Sequence, residues 1–251
     1  MTMHDTVAVG IDATSGEGGL SVATLDGDLR VLSLTELDLE QTLAYLGDQR
    51  AVFVGINAPA RPNKGVIRRR RRQDGRSQSR GSEIREAEYD LRDRGITVAA
   101  TPSREALCPA WVQLGFSLYK ELVKLGYQPF PAGEAPRQWL EVHPQAAFCG
   151  LLGRVPLPRP SLEGRLQRAL VLFERGVGLG DPMSFLEEIT RHRLLLGALP
   201  MDMVPGPSQL DALVAALTSW VGLTAPEAIT RVGNRQEGYI VLPVPELMTS
   251  Y

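Results

Sequence analysis

Apolar and small residues alternate through positions 6–14, TVAVGIDAT. Val7, Val9 and Ile11 take one face there, and Ala8, Gly10 and Asp12 the other. Alternation of this kind predicts a strand. GLSVATLD (19–26) and LRVLSL (29–34) repeat it, and Asp26-Gly27 between them is a hairpin signal. Leu37, Leu39, Leu43 and Leu46 then recur at near-helical spacing up to Gly47, and positions 51–57 return to an extended apolar run. A strand that follows a helix is most simply parallel to its predecessor, through a right-handed crossover. The pattern therefore predicts a mixed sheet of three antiparallel strands followed by parallel ones. VGIDAT (9–14) and VGINAPA (54–60) would end side by side in it, with Asn57 where the first strand carries Asp12.

Apolar periodicity disappears between Pro59 and Ile84, so residues 61–84 are expected to form a mobile basic loop with Arg68, Arg69, Arg70, Arg71 and Arg72 at its tip. Extended pattern resumes at 96–103. A long helix is expected over 105–125, ended by Gly126, then a loop at 129–136 and a short strand in WLEVHP (139–144). Helices are expected from Pro144, from Ser161, from Asp181-Pro182 to Gly197, and from Ser208; GYIVLP (238–243) closes the chain as a strand or extended packing segment. The fold class is α/β, a mixed sheet flanked by helices, with an arginine-rich loop insertion and extra C-terminal helices. With 251 residues and 43% hydrophobic content, one domain spanning 1–251 is the expectation.

Composition narrows the function classes. Cys108 and Cys149 lie in no zinc or CxxC spacing, which suits a reducing compartment. No apolar run approaches the roughly 20 residues that span a bilayer, and no basic-then-apolar leader occurs, so a cytoplasmic protein without a membrane partner is expected. The formal net charge is −2, but positions 61–94 hold 12 Lys/Arg against 6 Asp/Glu, a local +6 that leaves −8 on the rest. Such polarisation admits a nucleic-acid partner, and a charged loop that pairs with the acidic body is the plainer alternative. GxSxG, Walker A and GxGxxG sequences are absent, so serine hydrolases, P-loop NTPases and dinucleotide enzymes lack their usual signature.

Three carboxylates stand out. Asp12 ends an otherwise apolar or small-residue strand, where open α/β sheets place ligands, although a turn aspartate is equally compatible. Glu141 is the lone charge between Leu140 and Val142, where a solvated position on an edge strand is the plainer role, and Asp211 falls where Ser208-x-x-Asp211 would be a capping box. Carboxylates from separate elements are what a two-metal phosphodiester hydrolase needs to hold Mg²⁺ or Mn²⁺. His143 is a secondary candidate as general base or ligand, with helix capping as the simpler role.

The segments VGIDAT, VGINAPARP, REAEYDLRDRGI, TPS, EVHPQAAFCGLLG, LDALVAA and EGYIVLP, in this order, resemble the family called domain of unknown function 429, described as predicted nucleases of ribonuclease H-like fold. The resemblance implies a five-stranded mixed sheet flanked by helices. By position it implies that Asp12 is a first-strand metal ligand, Glu141 the acid before the His-Pro pair, and Asp211 the acid of a C-terminal helix. Glu88 falls where the family often has an acid, with Ala87 in place of a Cys. The departure is Asn57, where the family usually has Asp; an amide oxygen can still bind a hard cation but brings no charge.

The leading expectation is a divalent-metal-dependent nuclease with Asp12, Asn57, Glu141 and Asp211 at the metal and the arginine run on the phosphate backbone. A non-catalytic nucleic-acid-binding or adaptor protein with a degenerate site is the second. An actin-like kinase or ATPase, suggested by the glycines of DATSGEGGLSVATLDG, is the third, but 251 residues leave little room for its second nucleotide-binding half.

Overall fold

The computed structural model describes residues 6–14, 19–73 and 83–251, without the side chains of 71–73. Strands β1 (Val7–Asp12), β2 (Leu20–Leu25) and β3 (Val31–Leu37) form the expected antiparallel meander. Helix α1 (Leu39–Asp48) crosses to β4 (Val52–Asn57), which pairs with β1 in parallel and puts Asp12 opposite Asn57. The Asp38 side chain caps α1 at Gln41 N, and the Gln41 side chain returns the bond to Asp38 N.

Two helices follow where the sequence pattern shows none: α2 (Val66–Gln73) and α3 (Glu86–Asp93). The arginine run thus lies on α2 rather than on a loop tip. Arginine is a good helix former, and a helix with only Val66 and Ile67 as apolar residues leaves no periodic signal. Positions 74–82 of the expected loop lie outside the described residues. Segment 96–103 joins no ladder; it is a packing arm that buries Ile96 and Val98.

The expected helix at 105–125 is broken at Pro109, leaving α4 (Ala110–Lys124), and a two-residue strand, β5 (Gln128–Pro129), leads into the expected loop. Then come β6 (Arg137–Val142), α5 (Pro144–Leu152), α6 (Leu162–Glu174), α7 (Ser184–Leu195) and α8 (Pro207–Thr224). A closing hairpin, β7 (Thr230–Asn234) and β8 (Gly238–Leu242), completes the sheet. Its order is β3-β2-β1-β4-β6-β8-β7, with β5 beside β6, so among the described residues it has eight strands rather than the five that the resemblance implies.

Each Gly-Ile pair divides its duties between the two sheet faces. Ile11 and Ile56 join Val9, Val54, Leu118 and Leu122 in a core against α4. Gly10 and Gly55 face α8, which lies directly on them. A Cβ at Gly10 would come within 1.9 Å of the Ala212 oxygen, and one at Gly55 within 2.4 Å of the Ala215 oxygen. The small residues of β1 and β4 thereby let a helix backbone approach the sheet, and that approach carries the first turns of α8 to the ends of both strands.

Candidate functional site

Asp12 is fully buried at the carboxyl end of β1. Asn57 Nδ2 donates to its Oδ1 at 2.6 Å, Thr14 Oγ1 lies 2.9 Å from both oxygens, and Thr14 N donates to Oδ1 at 3.2 Å. Asp12 therefore does close a local turn with Thr14. It also faces a long-range partner, Arg159, whose Nη2 is 3.6 Å from Oδ2.

The same guanidinium holds Asp211 of α8, Nε to Oδ2 at 2.6 Å, and donates to Ser208 Oγ at 3.2 Å. Asp211 has no capping role, because α8 begins after Gly206 and Gln209 Oε1 accepts the Gly206 N–H. Burial pushes the Asp211 carboxyl up to about 7, with Arg159 opposing the shift and Asp12 adding to it. Two carboxylates from separate elements thus converge on one cationic group.

Glu141 stands apart from them. Partners in a parallel ladder point to the same side, and Glu141 pairs with Ile56, which faces α4, whereas Asp12 and Asn57 share the α8 side with Gly10 and Gly55. Its carboxylate is gripped by Arg85, Nη2 to Oε1 at 2.5 Å and Nη1 to Oε2 at 3.0 Å, and accepts the Ala60 N–H at 2.8 Å. Arg85 Nε also binds Glu88 Oε1 at 2.6 Å, and Glu88 takes the backbone N–H of Thr101 at 2.9 Å. Burial works against the Arg85 charge, but Glu141 and Glu88 hold it above the ordinary arginine value. Both expected acids are therefore spent on a buried guanidinium, and among the described residues no three His, Cys, Asp or Glu side chains gather as a metal cluster.

His143 caps α5, its Nδ1 accepting the Ala146 N–H at 3.2 Å. Burial pushes the imidazole down to about 4, so at neutral pH the ring is uncharged, with its proton left on Nε2. This makes it a hydrogen-bond donor rather than a general base.

On α2, Arg68 pairs with Glu83, Arg70 with Glu86, and Arg69 binds Lys64 O and Gln236 Oε1. The side chains of Arg71 and Arg72 lie outside the described residues. A residue not named as a site candidate, the first of the EGYIVLP segment, organises this region. Glu237, fully buried in the turn before β8, accepts backbone N–H groups from Lys64, Val66 and Glu86, at the starts of both α2 and α3. In the sequence it stands as a lone acid that opens the EGYIVLP segment, just ahead of the apolar run.

Thr14, Asn57, Arg85, Glu88, Trp111, Glu141, His143, Arg159 and Asp211 line a cleft of about 300 Å³ at the carboxyl edge of the parallel strands. Open α/β sheets bind ligands at this edge. Fold and cleft together define an α/β protein with a mixed sheet and a buried acid pair at its parallel strand ends. The chain belongs to the family described as "Protein of unknown function (DUF429)", whose model matches residues 10–236. No curated protein and no solved structure matches it.

Proposed function

We propose that the protein is a divalent-metal-dependent hydrolase of phosphodiester bonds in nucleic acid, with the metal held by Asp12 and Asp211. The observation that carries this is the convergence of those two carboxylates on the single guanidinium of Arg159, whose side chain is 39% exposed. A cation already sits between the acids, and a part-exposed side chain can leave. Asp12, Asp211, the Asn57 amide oxygen and the Thr14 hydroxyl offer the hard oxygen donors that Mg²⁺ or Mn²⁺ prefers. The donor set suits one ion; Glu141, turned to the other face and tied to Arg85, does not belong to it.

The ion would activate a water and stabilise the leaving oxygen. The chain's own residues have separate tasks. Asn57 and Thr14 fix the Asp12 carboxylate in place. The displaced Arg159 would face the phosphate, and the neutral His143 would offer its remaining N–H to an oxygen in the cleft. The run of three antiparallel strands followed by parallel β4 and β6 supports a ribonuclease H-like reading of the fold.

The test is cleavage of labelled single-stranded, duplex and branched substrates with Mg²⁺, with Mn²⁺ and with chelator. Cleavage should require metal and be abolished in Asp12→Ala. Metal-dependent cleavage at the parent rate by that variant would refute the assignment.

A second reading, a nucleic-acid-binding protein without turnover, is favoured by Asn57, since the amide adds no charge beside Asp12. It predicts salt-sensitive binding, no cleavage with any metal, and a gain of cleavage in Asn57→Asp if the lost charge is what silences the site.

A further inference from the structure

A second cavity, of about 480 Å³, opens on the other side of β6 from the acid pair, between β6, β8 and the Phe130 loop. Three arginines line it, Arg61, Arg231 and Arg235, together with Phe130, Trp139 and Tyr239. Two of the arginines are held in place: Arg61 Nη1 donates to Arg235 O at 2.9 Å, and the Arg231 guanidinium lies 5.5 Å from the centre of the Tyr239 ring. Tyr239 is 37% exposed, and the buried Trp139 indole N–H finds no acceptor among the described residues.

Among the described residues the one acid in the lining, Glu141, is already neutralised by Arg85. Arg69 of α2 reaches the same β7–β8 turn through Gln236, so the basic surface continues from the cavity onto the arginine helix. Glu141 also lines the cleft of the acid pair, which makes it a wall shared by the two hollows.

Aromatic faces in a hollow rimmed by arginines are the arrangement that holds an unstacked base with its phosphates. A duplex keeps its bases stacked and paired, and cannot offer one to a closed hollow without flipping it out. We propose that this cavity takes a nucleobase of a single strand against Tyr239, with Arg61, Arg231 and Arg235 on the flanking phosphates. The proposal rests on the nucleic-acid reading above but not on turnover. It adds a substrate class, single-stranded nucleic acid, and a site to which the arginine run is only an extension.

The experiment is fluorescence anisotropy of a labelled 20-nucleotide single strand in chelator, over a series of salt concentrations. The parent should bind the strand more tightly than the matching duplex. The triple variant Arg61→Gln, Arg231→Gln, Arg235→Gln should bind at least about tenfold more weakly, with a salt slope shallower by about 0.7 for each phosphate that is no longer neutralised. Tyr239→Ala should weaken binding by roughly fivefold to a hundredfold at nearly constant salt slope, the range expected for one stacked base. Binding should quench tryptophan fluorescence in the parent and much less in Trp139→Phe.

All these side chains except Trp139 lie at the surface, and unchanged circular dichroism and thermal midpoints would show that the variants are folded. Parent affinity in both the triple and the Tyr239 variants would overturn the proposal. So would equal affinity for duplex, or a free nucleoside monophosphate binding as tightly as the strand. If neutralising Arg68 to Arg72 abolishes binding while the triple variant is unaffected, this site fails and the hydrolase reading stands. If the triple variant loses binding but no metal supports cleavage, the hydrolase reading fails and this site stands.

Discussion

Arg85 and Arg159 each hold two buried carboxylates, and they do opposite things. Arg85 lies 2% exposed between Glu141 and Glu88; Arg159 lies 39% exposed between Asp12 and Asp211. Arg85 is enclosed by the starts of α2 and α3 and by the β8 turn, where Glu237 ties the same helices down. Arg159 sits on the segment between α5 and α6 and reaches the strand ends from outside. The residue types are nearly the same, so chemistry alone does not separate a strut from a site. What separates them is whether the cation can leave: a buried guanidinium is part of the fold, whereas a part-exposed one can yield its place.

The largest effect that distinguishes the two belongs to Arg85. Arg85→Met leaves Glu141 and Glu88 buried without their counter-charge, and losing one partner of a buried ion pair costs about 3–5 kcal/mol. Urea denaturation should show a loss of this size. Arg85→Lys should recover only part of it, because an ammonium cannot reproduce the fork that grips Glu141 with two nitrogens. A loss under about 1 kcal/mol would erase the distinction between the two arginines.

The second effect tests how the site comes to exist. Gly10→Ala places a methyl into the α8 backbone, and overpacking of this kind costs about 3 kcal/mol at the upper end of its usual range. To relieve the clash α8 must shift away from β1, which moves Asp211 away from Asp12. Metal-dependent cleavage should therefore fall in any Gly10→Ala protein that remains folded. Urea curves and cleavage rates on one preparation check both halves, and a fully active, fully stable variant would show that α8 does not need this approach.

The same glycines explain what the sequence disclosed. Alternation along β1 and β4 sets which residues face which way, so the pairing of Asp12 with Asn57 was legible from that alternation alone. Glu141 was legible as an acid on a short strand before a helix, but neither its burial nor its place on the opposite face was, because facing depends on the register of β6 against β4, which backbone pairing sets. Arg159 carried no local signal at all. It lies in a proline-rich stretch with no pattern to read, 147 and 52 residues from its partners. Helix α2 was hidden for a related reason: its order rests on Glu237, 171 residues from Val66 in the chain, rather than on an apolar stripe of its own. Local pattern reports faces and strand ends, whereas the ion pairs that sort acids into struts and sites are set by tertiary contacts.

Titration offers a third contrast. The folded-state pKa of Asp211, about 7, lies above the ordinary aspartate value, so the folded protein binds this proton more tightly than the unfolded chain. The resulting stabilisation is complete below about pH 4 and is lost as pH rises through about 7. His143 works in the opposite sense: its pKa of about 4 lies below the ordinary histidine value, so its contribution is present above about pH 6.5 and lost as pH falls through about 4. Comparing the parent with Asp211→Asn in chelator removes the His143 part, which both share. Between pH 5 and 7 the parent should lose stability relative to the variant, by at most about 1.4 kcal/mol per pH unit. Parallel curves would place the Asp211 proton outside this window.

Arg159→Ala should have the smallest effect on the fold, and it bears most directly on the comparison. A part-exposed pair contributes about 0–1 kcal/mol, and Asp211 can take up a proton when its partner is removed. The loss of stability should therefore be slight at pH 5 and larger at pH 8, where the carboxyl must stay charged without its guanidinium. Metal should show the reverse. With Arg159 gone the two acids no longer have a resident cation, so Mn²⁺ titrated at pH 8 by calorimetry should bind more tightly than to the parent. In Arg85→Lys protein, where Glu141 and Glu88 keep a buried cation, no such gain should appear. Equal Mn²⁺ affinity in the parent and in Arg159→Ala would mean that Asp12 and Asp211 are not a cation site, and both arginines would then be struts.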